Sequence, residues 1–237
     1  RLMAGKDTLK LHIESFHLQT DLFRDLFRVA LPASLSPIVT VLTIMSLTGI
    51  VARFGPEALA GYGIGSRLEF LLVPLVFGIG AAMTAMVGVN IGAGQVQRAE
   101  RIGWIGSSAA GVLSAVVGLT LATYPALWVD LFANDPLTEL AATRYLQIVG
   151  VCFVFQGMGL SLYFASQGAG TVKWPIIGTL LRFVIAVGGA FVAVVFYDAT
   201  IDAVYVFAAT GMFVFGAITI ASLALGAWRP KPMLPLD

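Results

Sequence analysis

The sequence predicts an all-α protein, a polytopic membrane bundle of six transmembrane helices. Three observations carry this prediction: 58% of the 237 residues are hydrophobic, only 11% are charged, and the mean hydropathy is +0.91. An ordinary soluble domain carries about 25% charged residues. The composition therefore excludes a water-soluble globule and a disordered chain. A formal charge of +1 gives no general attraction to nucleic acid, so we expect the lipid bilayer to cover most of the surface.

Six stretches of the chain have the length and apolar character of a spanning helix. A hydrocarbon core about 30 Å thick needs about 20 apolar helical residues, whereas a spanning strand needs about ten residues of alternating polarity. The six stretches are apolar on every face, as helices packed in lipid must be. The predicted spans are residues 29–52, 68–91, 102–124, 145–166, 176–197 and 203–228.

The connections between these spans carry the polar and turn-forming residues, and their charges predict the orientation. Ten Lys and Arg residues fall on the side of the N-terminus, and three fall on the other side, namely Arg53, Arg67 and Arg144. Because cytoplasmic segments are enriched in Lys and Arg, we expect both termini to be cytoplasmic and the protein to lie in the plasma (inner) membrane.

The two ends of the chain are predicted to lie outside the bundle. We expect residues 1–28 to form a cytoplasmic amphipathic linker, residues 29–228 the transmembrane bundle, and residues 229–237 a cytoplasmic tail. From Leu18 onward, apolar and charged residues separate onto two helical faces, which is typical of a helix in the membrane interface. The chain begins with Arg1 rather than methionine, which suggests a fragment.

Prolines and glycines interrupt the first two spans. Pro32, Pro37 and Pro74 each remove a backbone hydrogen bond, and we expect side chains of neighbouring helices to satisfy the freed carbonyls, with functional bending as the alternative. In the second span Gly78, Gly80, Gly88, Gly92 and Gly94 are predicted to let a neighbouring helix approach closely.

No enzymatic motif is visible in the sequence. The glycine runs GYGIG and GIGAA lack the strand and βαβ context of a dinucleotide site, and HExxH, GxSxG and CxxC motifs are absent. We therefore expect no enzyme activity and no cofactor.

Residues 31–99 contain two distinctive parts: the proline-containing first span that ends in FGPEALAGYGI, and the second span VPLVFGIGAAMTAMVGVNIGAG, which is followed by the basic QRAER. In these two parts the chain resembles the MATE family of multidrug and toxin extrusion transporters. The resemblance implies one half of a two-lobe transporter, the C-terminal six-helix lobe, with an N-terminal lobe missing upstream. It also implies antiport: a small organic compound leaves through a central cavity in exchange for H⁺ or Na⁺.

The resemblance also implies where this lobe departs from the family. In the sodium-coupled branch, acidic residues on the first and fourth helices of this lobe bind the coupling cation. Thr40 and Gln156 stand at those positions here, and neither supplies a full negative charge near neutral pH. The coupling carboxylate is therefore expected in the other lobe.

Three polar side chains inside the spans are candidates for the substrate or ion pathway. Glu69 is either a site for a cationic substrate or a proton, or a carboxylate paired with an arginine from another helix. Arg182 is expected to snorkel to the cytoplasmic face, and the alternative is a partner inside the lobe for a helix C-terminus or for Glu69. Gln156 is expected either to face the cavity or to bond to another helix.

Aromatic and thioether side chains on the fourth span are the remaining candidates. Phe155, Met158 and Tyr163 can pack between helices, or they can line a pocket for flat organic cations. Efflux of organic, cationic compounds is the predicted function. The alternatives are a lipid-linked oligosaccharide flippase of the same superfamily, which needs several cationic residues in its lumen, and a membrane assembly module that transports nothing.

Overall fold

The structure, a computed structural model, describes residues 20–229 apart from the side chains at 20–22, 25, 26, 28 and 29. All regular structure in this range is helical, and six of its helical segments are long and apolar enough to cross a membrane, as the sequence predicts. The elements are α1 (Thr20–Val51), α2 (Pro56–Gly92), α3 (Val96–Thr123), α4 (Ala126–Val129), α5 (Pro136–Val149), α6 (Phe153–Gly168), α7 (Lys173–Phe183), α8 (Ala190–Tyr197) and α9 (Ile201–Ala224).

Two spans are built from more than one helix. The fourth span consists of α5 and α6, which the 3₁₀ turn Gly150–Cys152 joins, and the fifth consists of α7 and α8, which the π-helical segment Val184–Gly189 joins. Interruptions of this kind are frequent at functional sites. Both lie close to the middle of their spans, where they change which side chains face the bundle.

The second and fourth spans begin much earlier than the sequence predicted. The predicted start of α2 at residue 68 is wrong, because Gly55, at φ 106°, ends the preceding turn and Pro56 occupies the first helical position. The predicted start of the fourth span at residue 145 is also wrong. Asp135 caps α5 by accepting a hydrogen bond from the Thr138 backbone N–H at 2.9 Å. Both helices therefore include residues that were predicted to be connections.

The sixth span ends earlier than predicted. The predicted end at residue 228 is wrong, because α9 stops at Ala224 and Gly226, at φ 72°, turns the chain. Trp228 lies beyond this turn and is buried against Gly103 of α3. Arg229 then makes a bidentate ion pair with Glu100, at 2.8 and 3.1 Å, and this pair holds the pKa of Arg229 above its ordinary value.

Close packing through glycine is confirmed for part of the second span. A Cβ atom on Gly80 would lie 2.6 Å from the Phe164 ring, and one on Gly88 would lie 3.4 Å from the Gly168 carbonyl oxygen. For Gly78, Gly92 and Gly94 no close approach is observed, because no atom of the described residues lies within 4 Å of the corresponding position. The close approach between α2 and α6 is thus confined to one stripe of α2.

The proline at the centre of α1 has its freed carbonyl satisfied by another helix. Pro37 has no backbone N–H, so the Ala33 carbonyl four residues earlier loses its helical partner. The buried hydroxyl of Tyr163 on α6 donates to that carbonyl at 2.9 Å. This confirms, for Pro37, the prediction that a neighbouring side chain replaces the missing bond.

α1 runs without a break from Thr20 to Val51, across the predicted linker boundary at residue 28. The amphipathic pattern predicted from Leu18 onward rests mostly on side chains outside the described residues. Residues 1–19 and 230–237 also lie outside them. The domain boundaries remain predictions.

Candidate functional site

Glu69 lies on the side of α2 that faces the bundle. Tyr62, Gly65, Leu72 and Val76 recur on the same face at helical spacing, and all four are buried. The Glu69 side chain is 19% exposed, which is little for a carboxylate. A carboxylate in this position needs polar partners from other helices, because Leu72 and Val73 one turn later on α2 are apolar and Ser66 one turn earlier bonds to the Gly63 carbonyl.

Two helices supply these partners, and a third supports one of them. The Tyr145 hydroxyl of α5 donates a hydrogen bond to Glu69 Oε1, and Arg182 Nη2 of α7 lies 3.8 Å from Glu69 Oε2. Arg182 Nη1 also donates to Gln156 Oε1 of α6, at 2.8 Å. We call Glu69, Tyr145, Gln156 and Arg182 the charged cluster.

The charged cluster lies near the middle of the spans. Glu69, Gln156 and Arg182 are each within about five residues, or about 8 Å, of the middle of their spanning helix. Ionisable side chains at such depth are costly unless they pair with one another. In the cluster the carboxylate and the guanidinium cancel each other's formal charge, and each has a neutral hydrogen-bonding partner.

Aromatic packing orients the Tyr145 hydroxyl. Its ring lies edge-on to Tyr62, with centroids 5.5 Å apart, and edge-on to Tyr205, with centroids 5.2 Å apart. The ring also covers Gly65, where a Cβ atom would lie 2.2 Å from Tyr145 Cδ1. Because Gly65 has no side chain, the Tyr145 ring can pack against α2 one turn before Glu69.

The prediction that Arg182 snorkels to the cytoplasmic face is wrong. Its side chain is only 10% exposed and turns into the bundle toward Glu69 and Gln156. The alternative, a partner of Glu69, is confirmed. Gly211 of α9 allows the α7 backbone to come close, since a Cβ atom there would lie 3.0 Å from the Arg182 carbonyl oxygen.

The π-helical segment preserves this orientation along the fifth span. Arg182, Ala186 and Ala190 are all buried and are spaced four residues apart. An α-helix turns 100° per residue, so eight residues would rotate the face by about 80°. The wider π turn keeps the three residues in line, which holds the Arg182 face against α9.

Two small cavities border Glu69. One is about 20 Å³ and is lined in part by Thr43, Tyr62 and Arg182; the other is about 10 Å³ and is lined in part by Gln156 and Ser114. The larger has room for a single water molecule. A drug-sized ligand needs at least about 300 Å³, so such a compound would have to bind on a surface of the lobe rather than inside the cluster.

The other predicted site residues are not part of the charged cluster. Thr40 is half-buried, and its hydroxyl donates to the Ser36 carbonyl of its own helix at 2.9 Å. Phe155 packs edge-on against Phe213 of α9, with centroids 4.7 Å apart. The structure therefore gives Thr40 and Phe155 local packing contacts within the lobe.

Met158 and Tyr163 are also engaged in contacts between helices. Met158 packs on Gly111 of α3, where a Cβ atom would lie 2.6 Å from its Cγ, and Tyr163 uses its hydroxyl on the Ala33 carbonyl. Met158 is half-buried, whereas Tyr163 is buried. Of the predicted residues, then, Glu69, Gln156 and Arg182 are brought together, and the other four lie elsewhere.

Tyr145 is the member of the charged cluster that the sequence prediction missed. It was placed at the start of a span, where a tyrosine is ordinary at the membrane interface. The only signal was that Glu69 needed a donor from another helix. Within the described residues, no group of three or more His, Cys, Asp or Glu side chains is placed to hold a metal ion.

Comparisons with known proteins place this geometry in context. The MatE family model matches residues 32–192. The probable multidrug resistance protein NorM of Deinococcus radiodurans is 31% identical over 171 residues, which are 69% of this chain and 37% of that protein. The match thus covers well under half of the length of that relative.

Two solved structures share the fold. A MOP superfamily transporter from Pyrococcus furiosus superposes with a TM-score of 0.85 at 19% identity, over 95% of this chain and 52% of that one. The MATE transporter ClbM, in a structure with Rb⁺, gives a TM-score of 0.80 at 20% identity, over 89% of this chain and 50% of that one. This chain therefore spans about half the length of each solved transporter.

Proposed function

Because the chain belongs to the MatE family of transporters, we propose that it forms one six-helix lobe of a secondary active exporter. The exporter moves organic cations out of the cell in exchange for inward-moving H⁺ or Na⁺. The observation that carries the proposal is the charged cluster, since intramembrane ionisable side chains that face a bundle interior are typical of substrate and ion pathways.

The proposal includes a second lobe. The chain matches about half of each solved transporter, and the two cavities that border Glu69 hold no more than about one water molecule. A substrate site between two lobes accounts for both facts, because transporters of repeated architecture bind substrate near the bilayer midplane where the repeats meet. The charged cluster lies at that depth in this lobe.

The choice of substrate rests on α6 and on the names of the relatives. Phe155 and Met158 are only partly buried, and aromatic and thioether groups hold flat cations by stacking and cation–π contacts. The D. radiodurans relative is named as a multidrug resistance protein. Organic cations are the substrate class that fits both.

The flippase alternative is not favoured. A carrier of lipid-linked pyrophosphate needs several cationic side chains in its lumen. Among the described residues Arg182 is the only buried cationic side chain, and Glu69 and Gln156 already bind it. Family membership likewise favours transport over a passive assembly role.

We also propose that the exporter lies in the plasma membrane with both ends of this chain in the cytoplasm. The support is the sequence itself, in which ten Lys and Arg residues on one side face three on the other. Labelling of a tag at either end by a membrane-impermeant reagent, in intact cells, would contradict this orientation.

The test of export uses the full-length protein in bacteria that lack their own drug exporters. We expect wild-type cells to accumulate less ethidium than cells with an empty vector, and an ionophore to abolish the difference. Equal accumulation in both, at matched protein levels, would refute the proposal.

Glu69→Gln tests whether the cluster takes part. We expect this variant to lose export, because it removes the carboxylate and leaves a buried guanidinium with no counter-charge. Glu57→Gln is the matched control, since Glu57 lies on the same helix but is exposed in its first turn. The double variant E69Q/R182Q removes both charges, so it should recover protein levels but not export.

A further inference from the structure

Arg182 fills the position where a small cation would neutralise Glu69. We infer that Arg182 is a tethered cation that occupies the cation site of this lobe, so that Glu69 binds no sodium ion while Arg182 is in place. The inference rests on the proposed function in one respect: it specifies that this carboxylate is not the sodium site of the exporter.

The Glu69 carboxylate needs a compensating positive charge. A carboxylate in the middle of a bilayer is stable only when a proton, a bound cation or a fixed positive charge compensates it. Arg182 supplies the fixed charge, with Nη2 at 3.8 Å from Glu69 Oε2. Because a guanidinium stays protonated at any physiological pH, this compensation is permanent unless the side chain moves.

Two side-chain oxygen atoms lie near the Arg182 guanidinium. Arg182 lies between a carboxylate oxygen of α2 and the amide oxygen of Gln156, which it reaches at 2.8 Å. Carboxylate and amide oxygens are the ligands that hard metal cations prefer. The same oxygens would therefore surround a small cation if the guanidinium were absent.

Little space is left beside Glu69 while the Arg182 guanidinium is in place. The cavities that border Glu69 are about 10 and 20 Å³, so no more than one water molecule fits beside the bound guanidinium. A sodium ion with part of its hydration shell needs the volume that Arg182 fills. Because the arginine is attached to α7, it is present at the site whatever the sodium concentration is.

Arg182→Met opens this site while preserving most of the length of the aliphatic stem. We expect the thermal unfolding midpoint of purified, full-length R182M to rise when NaCl replaces KCl at equal ionic strength. At one hundred times the Kd, binding at one site raises Tm by about 5–10 °C for a cooperative unit the size of this lobe. The rise should be larger than the rise in wild type, which shows only the response of any sodium site in the other lobe.

Arg67→Met is the matched control. Arg67 lies two residues from Glu69 on α2 but is exposed and sits over the Phe132 ring, 5.6 Å from its centroid. This variant loses the same charge two residues from Glu69 without opening space beside the carboxylate, so it should respond to sodium as wild type does. E69Q/R182M has no carboxylate to neutralise and should lose the response.

Each result decides the inference. A rise in R182M that is no larger than the rises in wild type and R67M would overturn it. If R182M can be purified in NaCl but not in KCl, the inference is supported. If it can be purified in neither salt while E69Q/R182M can, sodium does not replace the guanidinium and the inference fails. A lack of ethidium export would refute the proposed function but would leave these outcomes unchanged, since no step of the measurement uses transport.

Discussion

The hydrogen bond between Tyr163 and α1 gives a quantitative test of the packing. Tyr163→Phe removes the hydroxyl that donates to the Ala33 carbonyl, which Pro37 leaves without a helical donor. Hydrogen bonds between membrane helices contribute about 0.6 kcal/mol on average and up to about 1.7 kcal/mol. Because no intrahelical donor is available at this buried carbonyl, we expect a loss of about 1–1.7 kcal/mol, or a fall in Tm of about 2–6 °C.

A double-mutant cycle isolates the cause. In a Pro37→Ala background, residue 37 has an N–H that can bond to Ala33 in the ordinary helical way. Tyr163→Phe should then cost no more than about 0.5 kcal/mol, because the carbonyl keeps one donor. The free energy of unfolding is measured for all four proteins in mixed detergent micelles.

The result that would refute this reasoning is additivity. If Tyr163→Phe costs the same with Pro37 and with Ala at that position, the hydroxyl does not replace the missing helical bond. Tyr197→Phe is the control for loss of a phenol, because the Tyr197 side chain is 79% exposed. It should leave Tm unchanged.

Two further substitutions test the placement of α5 and of the cluster. Gly65→Ala should destabilise the protein by about 1–3 kcal/mol, because the new Cβ would lie 2.2 Å from Tyr145 Cδ1. Gly63→Ala is the control: no atom of the described residues lies within 4 Å of its new Cβ, so it should be neutral or stabilise the protein by up to about 1 kcal/mol. Equal Tm changes in the two variants would contradict the packing of Tyr145 on α2. Asp135→Ala removes the cap that binds the Thr138 N–H and should cost about 1 kcal/mol of unfolding free energy, while an unchanged Tm would show that the cap does not hold the start of α5.

The number and approximate course of the spans were predictable because transfer into a bilayer depends on local composition. Each span needs about 20 apolar residues wherever its neighbours lie, and the six predicted segments correspond to the six observed. The ends were less predictable. α2 begins at Pro56 rather than residue 68, because glycines that look like loop signals can form helix when another helix packs against them, as Ala141 and Ala142 do at Gly61.

The members of the charged cluster were only partly predictable. Glu69, Gln156 and Arg182 stood out as polar residues within apolar segments, which any hydropathy reading detects. Tyr145 did not stand out, because the choice of donor depends on how α5 is rotated against α2. The direction of Arg182 was predicted wrongly for the same reason: a straight α-helix model contains no π segment and no close approach to Gly211.

The sequence by itself determined the membrane environment, the six spans and the presence of a carboxylate, an amide and a guanidinium among them. These follow from the composition of short segments, since each helix satisfies its own backbone hydrogen bonds in lipid. Only the tertiary structure decided that the carboxylate and the guanidinium face each other, and which phenol completes the group. Those contacts join residues up to 113 positions apart, Glu69 and Arg182, and depend on helix rotations that small residues and helix interruptions set together.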